Sequence, residues 1–159
     1  MEMTRLLRRA SLLLALMLAA SVGVAAQPSG QHAEAVSPSA SRFDAVFAEV
    51  IGPGSMDMTW EDYEARLQQL RVLLPQGDRK REVQFRSVYC TSERWEDPKQ
   101  GLAYADEAQR RAQAAGDLAS RARAQFCRIG YVQELEGAGK ALGEADRMVG
   151  MLENSTESQ

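Results

Sequence analysis

No stretch of this chain alternates apolar and polar residues as a half-buried strand must, whereas from Ser41 onward apolar residues recur at intervals of three and four. That spacing lays them along one stripe of a helix, so the chain reads as all-α. Breakers and caps cut the pattern into six helices between Ser41 and Glu153. Ser41 is the N-cap of the first, which carries Phe43, Val46, Phe47 and Val50 and stops at Gly52-Pro53-Gly54. The second opens at Thr59 with Glu61 and Asp62 in its first turn, where the positive end of the helix dipole favours them. Its stripe is Trp60, Tyr63, Leu67, Leu70 and Leu74, closed by Pro75 and Gly77. Asp78 caps a third helix expected to run to about Trp95, with Val83, Val88 and Trp95 inward.

Asp97-Pro98 begins the fourth helix, because Asp accepts from the first-turn amides and Pro fits the first helical position. Leu102, Ala105, Ala108 and Ala112 share a face of it, and Gly116 suits its C-terminal cap. The fifth helix starts from Asp117 and carries Leu118, Ala122, Phe126, Ile129, Val132 and Leu135. Gly137 and Gly139 mark a turn into the sixth, which carries Leu142, Ala145, Val149 and Leu152. Connections this short make consecutive helices antiparallel neighbours.

The chain before Ser41 has a different character. Arg5, Arg8 and Arg9 precede an apolar run from Leu12 to Leu18, and Val24, Ala25 and Ala26 offer small residues for cleavage before Gln27. This is the layout of a secretory signal peptide over 1–26, which implies a periplasmic protein. The alternative is an uncleaved inner-membrane anchor, since Ala10 to Ala26 reaches the short limit of a spanning helix. Residues 27–41 are rich in Ser, Pro, Ala and Gly and read as a disordered linker, with the only histidine, His32, inside it. The helical domain is then 42–153, followed by a polar tail over 154–159.

Charge argues against nucleic acid as a partner. The formal charge is −3; removing residues 1–26 leaves 16 basic and 21 acidic residues, a charge of −5. Sixteen arginines against Lys80, Lys99 and Lys140 invite an anion-binding reading. A GC-rich genome accounts for the same bias, and no predicted helix face gathers the arginines, so the second account is preferred.

No catalytic constellation is visible. Without a histidine in the folded part, neither a Ser-His-Asp nor a Cys-His set can form. Adjacent carboxylates such as Glu61 and Asp62, or Asp106 and Glu107, diverge by about 100° around a helix and cannot converge on a substrate. Asp106 and Arg110 have the spacing of a surface ion pair. The string Gly137 to Gly143 lacks the Ser or Thr after Lys140, and the preceding strand, that a phosphate loop requires, so it reads as a helix–helix turn. No cofactor and no metal site is expected.

Two features hint at duplication. Tyr89-Cys90 and Phe126-Cys127 are aromatic-Cys pairs 37 residues apart, and Leu102 to Asp106 and Leu142 to Asp146 share a Leu-x-x-Ala-Asp string 40 apart. A longer second turn around Gly137 would absorb the three-residue difference. With Phe126, Ile129 and Gly130 at first-helix positions, and Gly101, Tyr104, Ala105 and Ala108 at second-helix positions, the chain resembles the tetratricopeptide-like helical-repeat superfamily. Ala141, or Leu142 with one residue deleted, takes the small position of the second unit. The first unit lacks the first-helix glycine, and the period is 37–40 rather than 34.

The passage from Leu73 to Tyr131, with LLPQGDRKRE, WEDPKQGLAYADEAQRRAQAAGD and ARAQFCRIGY, is similar to the extracytoplasmic sensor region of gammaproteobacterial diguanylate cyclases. The transmembrane helix and the cyclase domain with its Gly-Gly-(Asp/Glu)-Glu-Phe motif, which follow the repeats in that family, are absent from this sequence. The resemblance therefore implies a short solenoid of stacked antiparallel helix pairs with a sensor or scaffold role, and no enzymatic activity. It also implies a groove that binds a protein, a peptide or a small ligand. Trp60, Tyr63, Trp95 and Tyr104 are read mainly as core, with Tyr104 and Tyr131 the candidate exposed groove residues.

Two cysteines in an exported protein suggest a Cys90–Cys127 disulfide; the alternative is two buried small side chains, since equivalent positions on packed helices sit about 8–10 Å apart. Met148, Val149, Met151 and Leu152 have no following helix to cover them, which makes them a candidate interface for self-association, or the cut end of a longer sensor. The leading expectation is a non-enzymatic periplasmic interaction or sensor module, such as the sensory part of a cyclase signalling protein; the alternative is a free-standing structural helical bundle without a groove.

Overall fold

A computed structural model of the chain describes residues 37–92 and 95–156. The expected signal segment 1–26 and the first ten residues of the expected linker, His32 among them, lie outside the described residues. Among the described residues there are six α-helices and no strand. They are α1 (Pro38–Ile51), α2 (Trp60–Leu73), α3 (Arg79–Tyr89), α4 (Pro98–Ala114), α5 (Leu118–Glu136) and α6 (Ala138–Thr156). A 3-10 turn over Pro53–Asp57 joins α1 to α2. None of these helices is long and apolar enough to cross a membrane.

The chain divides into two compact units, Met1–Gly77 and Asp78–Gln159. In the first, α1 packs on α2. Phe43, Val46, Phe47 and Val50 of α1 are buried, as are Tyr63, Leu67 and Leu70 of α2, which matches the spacing read from sequence. Glu49 and Arg66 form an ion pair at 2.9 Å between the two helices, about half exposed and so worth under about 1 kcal/mol. The start of α1 corrects the expectation. Ser37, not Ser41, is the N-cap, accepting from the Ala40 amide at 3.2 Å, and Pro38 takes the first helical position. The Ser-Pro signal is the same one that Asp97-Pro98 gives; the Ser/Pro/Ala composition around it concealed it.

In the second unit α5 is central: α4 packs along one side of it, α6 along another, and α3 touches both α4 and α5. The starts of α3, α4 and α5 each have a side-chain cap where an orphan amide needs one. Asp78 accepts from the Arg81 amide at 3.0 Å, Asp97 from Lys99 at 2.9 Å, and Asp117 from Ser120 at 2.9 Å. The α4–α5 junction has the hydrogen bonds of a Schellman turn: Asp117 N–H donates to the Ala112 carbonyl and Gly116 N–H to the Gln113 carbonyl. Gly116 sits at φ 67°, which glycine adopts without steric cost. Gly137 alone, at φ 90°, separates α5 from α6.

Four features of this unit depart from the sequence reading. Helix α3 stops at Tyr89 instead of running to Trp95, so Cys90 is its C-cap while Cys127 lies in the middle of α5. The second turn is shorter than the first, not longer; the three extra residues lie in α5, which continues to Glu136 beyond Cys127. The two matched strings also occupy different surroundings, with Leu102 half-buried and Leu142 67% exposed. At the start of that second helix it is Ala141, not Leu142, that is buried at the small position. Lastly, the helix expected to end at Glu153 continues through the first residues of the polar tail, to Thr156.

Helix α5 also presents a different face to the core than its apolar stripe predicts. Of the expected stripe Val132 is buried, while Leu118, Ala122, Phe126, Ile129 and Leu135 are half-buried; Ser120, Ala124, Cys127 and Tyr131 are buried. Those four follow i, i+4, i+7, i+11, one helical stripe. Small side chains along it let backbones approach closely. The tightest approach is at Gly101 of α4, where an added Cβ would strike ring atoms Cε1 and Cζ of Tyr131. Alanine there should gain about 1 kcal/mol of helix propensity and lose more to overpacking. Gly101→Ala is expected to lower stability by about 1–3 kcal/mol, read as a lower midpoint in urea unfolding with unchanged slope.

Candidate functional site

Two places in the second unit concentrate polar and reactive side chains. The first is the bridge. Cys90 and Cys127 are joined as a disulfide, with Cα atoms 6.0 Å apart. The early end of α3 provides the offset that two mid-helix positions would have lacked. Cys90, Ala105, Cys127 and Tyr131 form one buried cluster, with Trp95, Leu102 and Tyr104 packed against it. Tyr131 was expected to be exposed in a groove; it is 4% exposed, and its hydroxyl donates to the Cys90 carbonyl at 2.7 Å. That carbonyl lies at the C-terminal end of α3, where it has no amide partner within the helix, so the phenol supplies one.

Tyr104 is half-buried rather than open. Its ring lies 4.6 Å from Trp95 and 6.0 Å from Tyr89, with the Arg86 guanidinium 5.7 Å away. Trp95 Nε1 donates to the Tyr89 carbonyl at 3.0 Å. The aromatic group thus packs against the bridge, with Tyr131 buried and Tyr104 half-buried within it. Burial pushes the Tyr104 hydroxyl up to about 12, with the Arg86 charge opposing that shift.

The second place is a cleft of about 500 Å³ formed by α4, α5 and α6. Asp106, Gln109 and Arg110 come from α4, Arg121, Gln125 and Arg128 from α5, and Glu144, Arg147 and Met151 from α6. At its floor Gln125 and Glu144 are 3% and 8% exposed. Gln125 Nε2 donates to the Glu144 backbone carbonyl at 3.0 Å and to its carboxylate at 3.1 Å, and Gln109 donates to Gln125 Oε1. Arg128 reaches Asp106 at 2.8 Å and Glu144 at 3.0 Å, and Arg147 reaches Glu144 at 2.6 Å. Arg110 pairs with Glu107 at 2.6 Å, so the expected Asp106–Arg110 pair does not form. Hydrogen bonds from Arg111 and Arg110 hold the Glu107 carboxyl below its ordinary range.

Sequence reasoning found no face that gathers arginines; the fold gathers four in this cleft. Arg121, Gln125 and Arg128 occupy i, i+4 and i+7 of α5, a polar stripe along a helix that is covered on several sides. That pattern was present in the sequence, masked by the competing apolar stripe from Leu118 to Leu135. Among the described residues no group of three or more His, Cys, Asp or Glu is arranged to hold a metal ion. The candidate interface divides: Val149 is 49% exposed, while Met148, Met151 and Leu152 are already half-covered and Met151 lines the cleft.

No protein-family model matches the chain, and neither a curated protein nor a solved structure does. The functional reading therefore rests on the two places just described.

Two outcomes follow from them. Breaking the bridge frees a loop of about 37 residues, for which chain entropy gives about 3–4 kcal/mol. Urea unfolding of the Cys90→Ser/Cys127→Ser protein should show a loss of that order, and reductant should destabilise the wild type equally. For Tyr104 the folded-state value lies above the ordinary 10.0, so its contribution is intact below pH 10 and is lost as pH rises toward 12. A late step in tyrosinate absorbance, absent in Tyr104→Phe, checks this.

Proposed function

We propose that the chain is an exported, non-enzymatic helical-repeat module of the tetratricopeptide-like kind, serving as the interaction or sensor part of a periplasmic signalling system. The observation that carries this reading is the cleft between α4, α5 and α6, a concave site of small-ligand size floored by buried polar side chains. Three consecutive helices contribute to it, as stacked helices do when they form a binding surface. The Cys90–Cys127 bridge supports an oxidising compartment, where such bonds persist. The secretory pattern at the N-terminus and the resemblance to cyclase sensor regions favour the same setting.

The test has two arms. Residues 1–36 fused to a phosphatase that is active only outside the cytoplasm should give active enzyme; an inactive, cytosolic fusion would remove the export claim. A photo-crosslinking amino acid at Gln109, in the cleft, should give a discrete adduct in cells. The same group at Val72, an exposed position in the first unit, should give none. Equal labelling at both positions, or none at Gln109, would overturn the binding role.

A further inference from the structure

The charge in the cleft is unbalanced. Four arginines line it against two carboxylates, Asp106 and Glu144, in a chain whose overall charge is −3. The pairing is uneven as well. Glu144 is shared by Arg128 and Arg147, and Arg128 takes Asp106 too. Among the described residues no ion pair engages Arg121. Its Nε is buried without a hydrogen-bond partner, and Arg128 Nη1, though 3.0 Å from Glu144, lacks hydrogen-bond geometry to it. Three buried side-chain polar atoms among the described residues lack a partner, and two of them belong to arginines of this one cleft. A buried guanidinium donor left unmatched is costly, and such donors in a cleft call for an acceptor. Only Met151 among the lining residues is apolar, so the site has little to offer an apolar ligand.

We propose that the cleft binds an oxyanion, a phosphate or carboxylate group, with Arg121 as its principal contact and Arg110 and Arg147 closing over it from α4 and α6. The inference rests on the cleft being the binding site and deepens that reading by naming the ligand chemistry. Guanidinium forks match two-oxygen anions, which makes arginine the suitable donor. Arg110 and Arg147 are largely exposed, at 73% and 72%, and each holds a single carboxylate, so both side chains can turn to a ligand. Glu144 acts as a built-in competitor: its carboxylate occupies Arg128 and Arg147, the same kind of contact the ligand makes.

This arrangement predicts effects of opposite sign, which a mere loss of folding cannot imitate. The oxidised full-length chain is titrated calorimetrically at low salt with inorganic phosphate and, separately, with citrate. Saturable binding of at least one is expected, weakening as sodium chloride is raised. Arg121→Gln should weaken it about tenfold, the effect of losing one charge-assisted hydrogen bond, and Arg121→Lys should recover part of that. Glu144→Gln keeps the shape but frees two arginines, and should tighten binding several-fold. Arg42→Gln, in the first unit, should change nothing. Preference for phosphate identifies a phosphoryl ligand; preference for citrate identifies a polycarboxylate. Absence of saturable binding, or an Arg121→Gln affinity equal to wild type, overturns the oxyanion assignment. If the crosslink at Gln109 still forms in that case, the cleft remains a binding site for a ligand of other chemistry; if neither occurs, both readings fall.

Discussion

The covalent tie between the end of α3 and the middle of α5 sets the geometry of the second unit. Cys90 is a helix cap, so its carbonyl would otherwise be an orphan; Tyr131, one turn beyond Cys127, reaches back to it at 2.7 Å. Disulfide and phenol hydrogen bond thus grip the same residue from the same helix. The Tyr131 ring can take that position only because Gly101 of α4 has no side chain in its way. Three helices meet at one point through one bond, one hydrogen bond and one missing methyl group. None of the three is a large apolar contact, which suits a chain with only 6% aromatic residues.

With α5 pinned, its surface is divided. The stripe Ser120, Ala124, Cys127 and Tyr131 goes to the core, and the neighbouring stripe Arg121, Gln125 and Arg128 becomes the floor and wall of the cleft. A helix covered on several sides has no purely solvent-facing side, so its polar stripe must find partners from other helices. Asp106 of α4 and Glu144 of α6 fill that role for Arg128. Arg121 is the member for which the described residues supply none, which leaves the cleft with a guanidinium donor unmatched.

Much of the fold was legible because local signals set it. Asp78, Asp97 and Asp117 accept amide hydrogen bonds at the helix starts where the sequence placed them, and Gly116 takes its positive φ. The stripes of α1 and α2 were also readable, since each has one apolar side. Legibility failed where tertiary context decides. On α5 two stripes compete: apolar spacing points to the larger side chains, of which Val132 alone is buried, whereas the small ones permit the close approach. The early end of α3 carries no breaker; Cys90 to Asp97 contains no Gly or Pro to signal it. The cleft was hidden because its arginines come from three helices, and convergence across helices leaves no period in a linear sequence. The exposure of Tyr131 was misjudged for a related reason: its hydroxyl partner is 41 residues away.

The amides beneath the cleft have a direction. Gln109 donates to Gln125, and Gln125 donates to Glu144, so the donors all run from α4 through α5 to α6 and end on a carboxylate that can only accept while ionised. Turning the Gln125 amide end for end would set nitrogen against nitrogen at Gln109 and oxygen against oxygen at Glu144, and turning Gln109 would set its oxygen against that of Gln125. The order of donors is therefore a one-way lattice key. It matches the three helices in a single alignment, and sliding α6 by one residue along α5 would break the sequence of give and take rather than merely shift it.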